Sequence, residues 1–141
     1  MNKNISSVLK AVSKPGRYSG GEYGQIIKDK EKIKARFAFC FPDTYEIGMS
    51  NLGMRILYGV LNREDDVWCE RVYTPWVDMQ EKMAEHNIPL TACESGDPLT
   101  EFDMIGFTLQ YEMSYTNVLN MIDLADSRCA PVTVMTVCLL L

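Results

Sequence analysis

Apolar and polar positions along this chain alternate in a way that predicts strand and helix units. The run Phe37–Phe41 is too short for a helix and stops at Pro42, so it predicts a central strand buried on both faces. From Ser50 or Asn51, either a good helix cap, apolar residues recur at helical spacing to about Asn62. A strand that passes through a polar turn into a helix is where open α/β sheets bind ligands. The inward positions of this helix are expected to be Leu52, Ile56, Leu57, Val60 and Leu61.

The rest of the chain repeats this strand and helix alternation. Asp78 is expected to cap a helix that buries Met79 and Met83, and Gly106 marks a close approach of backbone or ligand within a strand. The alternation predicts an α/β fold: a doubly wound, mostly parallel sheet of Rossmann or flavodoxin type, with helices on both faces. The predicted strands are Ala35–Phe41, Val67–Tyr73, Ile88–Ala92 and Asp103–Leu109. The last predicted helix is Tyr115–Leu124, with Val118, Leu119 and Ile122 as inward positions and Met121 as a further candidate.

Composition narrows the function classes. The chain has 141 residues, of which 47% are apolar and 23% charged, enough for one globular domain with a core. The net charge of -5 and the absence of a basic stripe give no indication of nucleic-acid binding. No run reaches the roughly 18 apolar residues of a membrane span. The N-terminus lacks the apolar core of a signal peptide, so the expected location is the cytoplasm.

Residues that could carry metal or nucleophilic chemistry lack the necessary spacing. The five cysteines are far apart and form no CxxC or CxxxCxxC motif, so this chain is expected to hold neither zinc nor an iron–sulfur cluster. His86 is the only histidine and is expected near a helix end, which leaves no Ser-His-Asp arrangement. The glycines form neither GxGxxG nor a phosphate-binding loop. No catalytic residue is therefore assigned.

Polar side chains collect where the predicted strands end. In doubly wound folds this edge binds nucleotides or cofactors, although the same residue types also serve as caps and turn formers. Glu46 and Glu112 could act as an acid/base pair if the first and fourth predicted strands were neighbours. The candidate ligand-binding residues are Asp43, Thr44, Tyr45 and Glu46 after the first strand, Trp76 after the second, Glu94 and Ser95 after the third, and Gln110, Tyr111, Glu112 and Asn117 after the fourth.

Five blocks of this chain carry a family resemblance: Val12–Glu22, Phe41–Gly53, Val67–Trp76, Leu90–Gly96 and Phe107–Asn120. They resemble the N-terminal, cobalamin-binding-like α/β region of radical SAM proteins. The resemblance covers roughly residues 8 to 125, and its blocks are long enough to be specific. It implies a following radical SAM barrel, whose CxxxCxxC motif holds a [4Fe-4S] cluster that cleaves S-adenosylmethionine. The chain would then be an accessory domain, with residues 1–34 as a basic, glycine-rich arm and 35–125 as the α/β domain.

One departure from this resemblance concerns cobalamin. Typical cobalamin modules carry a DxHxxG motif whose histidine is the lower cobalt ligand. The corresponding turn here runs from Asp43 to Gly48 and has Tyr45 in the place of the histidine. A histidine-ligated cobalamin is therefore not expected, which leaves a small molecule, or cobalamin without a histidine ligand, as the candidate.

The second departure is the tail, residues 126–141. With suitably chosen codons, a single-base deletion at Asp126 would convert a family-like continuation into this apolar tail. That hypothesis predicts a sheet incomplete at its C-terminus and an aberrant tail. The alternative is a genuine further strand, since Val132–Leu141 is apolar and rich in β-branched residues. The rival function is a stand-alone flavodoxin-like module that binds a small ligand or a protein partner.

Overall fold

The computed structural model describes residues 8–125 and, by its backbone, the strand 133–137. Four parallel strands lie in the order β2-β1-β3-β4. The strand order reverses between β1 and β3, and the carboxyl ends of these two strands therefore form the topological switch point of the sheet. The strands are β1 (Ala35–Phe41), β2 (Val67–Tyr73), β3 (Met104–Thr108) and β4 (Thr133–Val137). The predicted parallel α/β architecture is confirmed.

Helices cover both faces of the sheet, as the doubly wound prediction requires. The helices are α1 (Tyr45–Ser50), α2 (Leu52–Leu61), α3 (Val77–His86) and α4 (Ser114–Leu124). On one face, α2 packs Met54 and Tyr58 against Phe39 and Phe41 of β1. The core of the other face, to which α3 and α4 contribute, consists mainly of Ala38, Cys40, Val72, Met79, Met83, Ile105, Phe107, Val118 and Met121.

The buried face of α2 differs from the prediction. Asn51 caps the helix as expected, because its side-chain oxygen accepts a hydrogen bond from the Met54 N–H at 2.9 Å. The buried residues, however, are Met54 and Tyr58. Apolar residues occupy most of the circumference of α2, so periodicity alone could not identify the face that meets the sheet. The predicted inward residues Leu52, Ile56 and Val60 are exposed, whereas Leu57 and Leu61 are half-buried.

The predictions for α3 and α4 hold in large part. Met79 and Met83 are buried, as expected, but α3 begins at Val77 with Trp76 as its N-cap, so Asp78 does not cap it. In α4, Val118 and Met121 are buried, whereas Leu119 is 68% exposed. Leu119 directly follows a buried position, and neighbouring positions on a helix point about 100° apart.

The predicted third strand, Ile88–Ala92, is wrong. The Leu90 N–H donates to the carbonyl of Leu124, and the Ala92 N–H donates to that of Asp97. Among the described residues, this segment forms only an isolated bridge between Thr91 and Pro98. Its backbone is thus satisfied by a helix end and a loop, and it lines the sheet edge without joining the ladder.

The outer edge of β2 is covered by hydrogen-bonding groups from outside the sheet. An uncovered edge strand presents unpaired N–H and C=O groups to other chains. On β2, the outward groups of Cys69 and Arg71 are all engaged. Asn62 bonds both the N–H and the carbonyl of Cys69, Glu94 accepts from the Arg71 N–H, Cys93 donates to the Arg71 carbonyl, and Lys28 donates to the Val67 carbonyl.

Part of the predicted aberrant tail lies in the sheet. The backbone of Thr133–Val137 forms β4, which pairs with β3 from Met104 to Thr108. This is the arrangement that the alternative, a genuine further strand, describes. Residues 126–132 and 138–141 lie outside the described residues, and the reading frame of the tail stays a sequence prediction.

Two helical glycines offer a matched test of packing. A Cβ at Gly48 would overlap the Tyr73 ring, whereas one at Gly59 would meet open space. We expect Gly48→Ala to lower the free energy of unfolding by about 1–3 kcal/mol through overpacking. Gly59→Ala should raise it by about 0.5–1 kcal/mol because alanine loses less backbone entropy. Urea denaturation of both variants measures the difference, and shifts in the same direction would contradict the packing described at Gly48.

Candidate functional site

A cavity of about 210 Å³ lies at the carboxyl end of β2. Ligands of doubly wound folds bind beyond the carboxyl ends of strands, so this position is a candidate site. We call residues 13–21, part of which forms one wall, the leader strap. The other walls include Tyr45, the end of β2, Met79 and Met83 of α3, and residues 88–96.

The leader strap is fastened across this end of the sheet. Gly20 has a φ of +64°, and a Cβ there would clash with the Cys93 carbonyl oxygen, so the turn requires glycine. The strap thereby packs against the 88–96 segment, which forms another wall of the cavity. Its polar anchors are Ser13 to Asp78 (2.7 and 2.8 Å), Arg17 to Glu46 (2.9 Å) and the Trp76 N–H to the Tyr18 hydroxyl (3.0 Å).

Two tyrosines form an aromatic wall of the cavity. The Tyr45 and Tyr73 rings meet edge to face, with centroids 5.6 Å apart and an interplanar angle of 84°. Burial, together with a hydrogen bond to Glu22, raises the pKa of Tyr45 to about 12. Burial also raises the pKa of Tyr73, whose hydroxyl donates to the Met49 thioether at 3.0 Å. Both phenols are therefore neutral at physiological pH.

Glu94, another residue of the cavity lining, forms a buried ion pair with Arg71. Arg71 donates to the Glu94 carboxylate from Nε at 2.6 Å and from its backbone N–H at 2.7 Å. Burial raises the pKa of Glu94, although Arg71 opposes this shift. Burial lowers the pKa of Arg71, but the adjacent Glu94 outweighs it and the net pKa is raised. The Arg71 guanidinium also lies over the Tyr58 ring, 4.5 Å from its centroid.

A second charged cluster holds the loop that continues from Glu94. Arg36 donates to Glu70 at 2.5 Å and to Asp97 at 2.7 Å. The other Glu70 oxygen accepts from the Ser95 N–H at 2.9 Å, and Lys30 pairs with Asp97. Because Glu70 lies fully buried in β2, this cluster fixes residues 94–97 to the sheet.

The structure divides the sequence-predicted candidates into separate groups. Tyr45, Glu94 and Ser95 lie on the cavity, while Glu46 and Trp76 contact the leader strap. At the switch point, Asn117 donates to the Pro42 carbonyl at 2.8 Å, and the Asp43 carboxylate accepts from the Thr44 N–H at 2.6 Å. Gln110 follows β3 and accepts from Thr108 at 3.5 Å, whereas Tyr111 and Glu112 are exposed.

The candidate acid/base pair, Glu46 and Glu112, follows two strands of the sheet, β1 and β3. β1 and β3 are neighbours, which was the condition for Glu46 and Glu112 to act together. Glu46, however, accepts a hydrogen bond from Arg17 and pairs with Lys14, and the Arg17 bond holds its pKa below the usual range. A carboxylate held in this state anchors the strap and is poorly suited to donate a proton at neutral pH.

Sequence reasoning missed several residues of the cavity region. Arg17, Tyr18 and Tyr73 line it, and Arg71 lies behind it. Two signals were available: the Gly20-Gly21 turn in the leader and the adjacent Glu70-Arg71 charges inside an otherwise buried strand. Buried charges require partners, so the second signal predicts further charged residues nearby.

The described residues offer no ligand set for a metal cluster. Within them, no group of three or more His, Cys, Asp or Glu side chains could hold a metal ion. Burial raises the pKa of Cys40, Cys69 and Cys93, so these thiols stay protonated. In the same part of the chain, no helix has both the length and the apolar character needed to cross a membrane.

Comparison with known proteins identifies one family. A family model described as radical SAM proteins, N-terminal, matches residues 53–130, which is more than half of the chain. Neither a search of curated proteins nor one of solved structures finds a match. The matched span includes β2, α3, the 88–96 segment, β3 and α4. The segment from Asp43 to Gly48 lies outside it, and from Tyr45 onwards this segment is the helix α1 and not the predicted turn.

Proposed function

The chain belongs to the family described as radical SAM proteins, N-terminal. On that premise we propose that it is the accessory domain of a radical SAM barrel and that its role is to bind a small molecule. The cavity at the carboxyl end of β2 carries this proposal. Its lining combines the aromatic wall of Tyr45 and Tyr73, the two buried methionines Met79 and Met83, the 88–96 segment and the leader strap. Concave, mostly apolar sites with a few fixed polar groups are typical of small-ligand binding.

Cobalamin does not fit the residues of this site well. Tyr45 stands where typical cobalamin modules have their cobalt-ligating histidine, and its ring packs edge-on against Tyr73. Because its pKa is raised to about 12, the phenolate that could ligate a metal is scarce at neutral pH. We therefore propose a ligand smaller than a corrin and assign no step to cobalamin.

A fragment screen on the purified chain tests whether the cavity binds ligands. Neutral, anionic and cationic fragments would be screened by saturation-transfer NMR against the wild type, Tyr45→Ala and Tyr23→Ala. Tyr23 is the matched control because its ring is fully exposed and does not line the cavity. We expect at least one fragment whose signal is lost in Tyr45→Ala and kept in Tyr23→Ala. If no fragment shows that dependence, the cavity is not a ligand site.

The proposed partner barrel has a surface on which it could dock. The outer face of α2 carries Leu52, Ile56 and Val60, which are 66%, 55% and 48% exposed. A helix that is apolar all round is normally buried, and exposed apolar patches commonly mark interaction sites. The family description places this region N-terminal in radical SAM proteins, so we propose the barrel as the body that covers this face.

Resequencing the gene through the codons for residues 124–141 and several hundred bases beyond tests the partner. We expect a frame that continues into CxxxCxxC. With the barrel then expressed as a separate chain, Ile56→Glu should weaken its association with this domain, while Arg55→Glu serves as an exposed control on the same helix. A clean stop followed by unrelated sequence would favour the stand-alone binding module instead.

A further inference from the structure

Resting on the proposed ligand site, we infer that the cavity takes a neutral, planar heteroaromatic ligand of one or two fused rings. The charge, the chemistry and the size of the cavity are independent features of its walls, and each restricts the chemical class of the ligand.

The cavity presents no unpaired charge among its described lining residues. Only Arg17 and Glu94 in that lining are charged, and both are already in ion pairs. The Glu94 side chain is fully buried against Arg71, and Arg17 is directed to Glu46 and the Trp76 ring. A charged ligand would lose its hydration without gaining a free counter-charge, which is costly in a partly enclosed site.

The walls favour a flat π-system over an aliphatic body. Tyr45 and Tyr73 already form an edge-to-face pair, and a third ring can join such a pair in the same geometry. Met79 and Met83 also line the cavity, and methionine sulfur makes favourable contacts with aromatic rings.

The volume of the cavity sets an upper limit on the number of rings in the ligand. A cavity of about 150 Å³ in a protein core admits benzene. The cavity here has a volume of about 210 Å³, which leaves room for such a ring and part of a second, fused ring. Most backbone N–H groups of residues 88–96 already donate within the domain. The buried Thr74 hydroxyl, however, lines the cavity and has no hydrogen-bond partner among the described residues, which suits a ring nitrogen or an exocyclic amide of the ligand.

The test uses three probes of similar size: quinoxaline (neutral, aromatic), quinoxaline-2-carboxylate (anionic, aromatic) and 2-decalol (neutral, saturated). The chain is labelled with ¹³C at its methionine methyl groups. We expect quinoxaline to produce saturable ring-current shifts at Met79 and Met83 and none at Met113, which is 77% exposed and away from the cavity. Its Kd should be at least tenfold lower than those of the other two probes, equivalent to about 1.4 kcal/mol.

Variants add a second readout. Tyr45→Leu should reduce the preference for quinoxaline over 2-decalol, whereas Tyr45→Phe, which keeps the ring, and Tyr23→Leu should preserve it. Tighter binding of 2-decalol or the carboxylate at Met79 and Met83 would overturn the inference and leave the small-ligand proposal standing. If no probe shifts these methyls while the fragment screen identifies other cavity ligands, the inference also fails. If the screen identifies none, the proposed function itself fails.

Discussion

Replacing Arg71 by methionine is expected to lower the free energy of unfolding by about 3–5 kcal/mol at pH 7. The change keeps the length and apolar bulk of the side chain but leaves Glu94 buried without its cation. Such a loss exceeds that of most single substitutions and would consume much of a typical domain's stability. Urea denaturation followed by circular dichroism measures it.

The pH dependence of this variant provides a second check. Burial already raises the folded-state pKa of Glu94, and removing Arg71 takes away the main opposing influence. A carboxyl whose pKa is raised on folding binds more protons in the folded state, so stability falls as pH rises through that interval. Arg71→Met should therefore recover part of its lost stability as the pH is lowered from 7 towards 5. A deficit that is equal at both pH values would contradict the role given to Glu94.

A double variant separates the lost pair from the lost arginine. In Arg71→Met/Glu94→Gln the buried charge is gone, while the amide oxygen can still accept from the backbone N–H of residue 71. We expect the double variant to be more stable at pH 7 than Arg71→Met alone. Lys82→Met, which removes an exposed pair with Glu85, is the control and should change stability little.

Replacing Arg36 by methionine should have a similarly large effect, also about 3–5 kcal/mol. Arg36 is the cation paired with the fully buried Glu70, and its guanidinium lies over the Phe102 ring, 4.3 Å from the centroid. Without it, Glu70 keeps the Ser95 N–H as its remaining described hydrogen-bond donor. The loss should appear in urea denaturation.

The same substitution should have a local signature at the cavity. Because Arg36 and Glu70 fix residues 94–97, hydrogen exchange at the Ser95 and Asp97 amides should accelerate more than exchange at the centre of β3. Lys34→Met, which removes an exposed pair with Asp66, should leave both unchanged. Uniform acceleration across the sheet would show that Arg36 stabilises the whole domain without a specific effect on this loop.

The strands and the type of fold could be predicted because short apolar runs have few alternatives. Phe37–Phe41 and Val67–Tyr73 both lie within strands that match the prediction, and Met79 and Met83 are buried as helical spacing required. Ile88–Ala92 has a similar composition but forms no strand, because its partners are α4 and the loop at Asp97. Whether an apolar segment joins a ladder depends on neighbours distant in sequence, which composition does not encode.

The candidate site was predicted less completely for a related reason. Tyr45 was selected because it follows the end of β1, and it lies on the cavity. Glu94 and Ser95 were selected after a strand that does not form, and they lie on the cavity because the 88–96 segment lines the sheet edge. Which strand ends are covered depends on the path of the leader strap. Glu94 was selected as a polar residue after a strand, yet its partner Arg71 lies 23 positions earlier, inside β2. Only the three-dimensional arrangement shows that the Glu94 carboxylate is paired with a cation inside the domain.

The covered edge of β2 determines in which direction this sheet can be extended. Since the outward groups of Cys69 and Arg71 are bonded to Asn62, Glu94 and Cys93, an incoming strand finds no ladder to continue there. A strand that joins this sheet through main-chain pairing, from a longer relative or from another molecule, is therefore expected to add beyond β4. Growth by self-templating, and enlargement of the sheet by evolution or design, should proceed from that end.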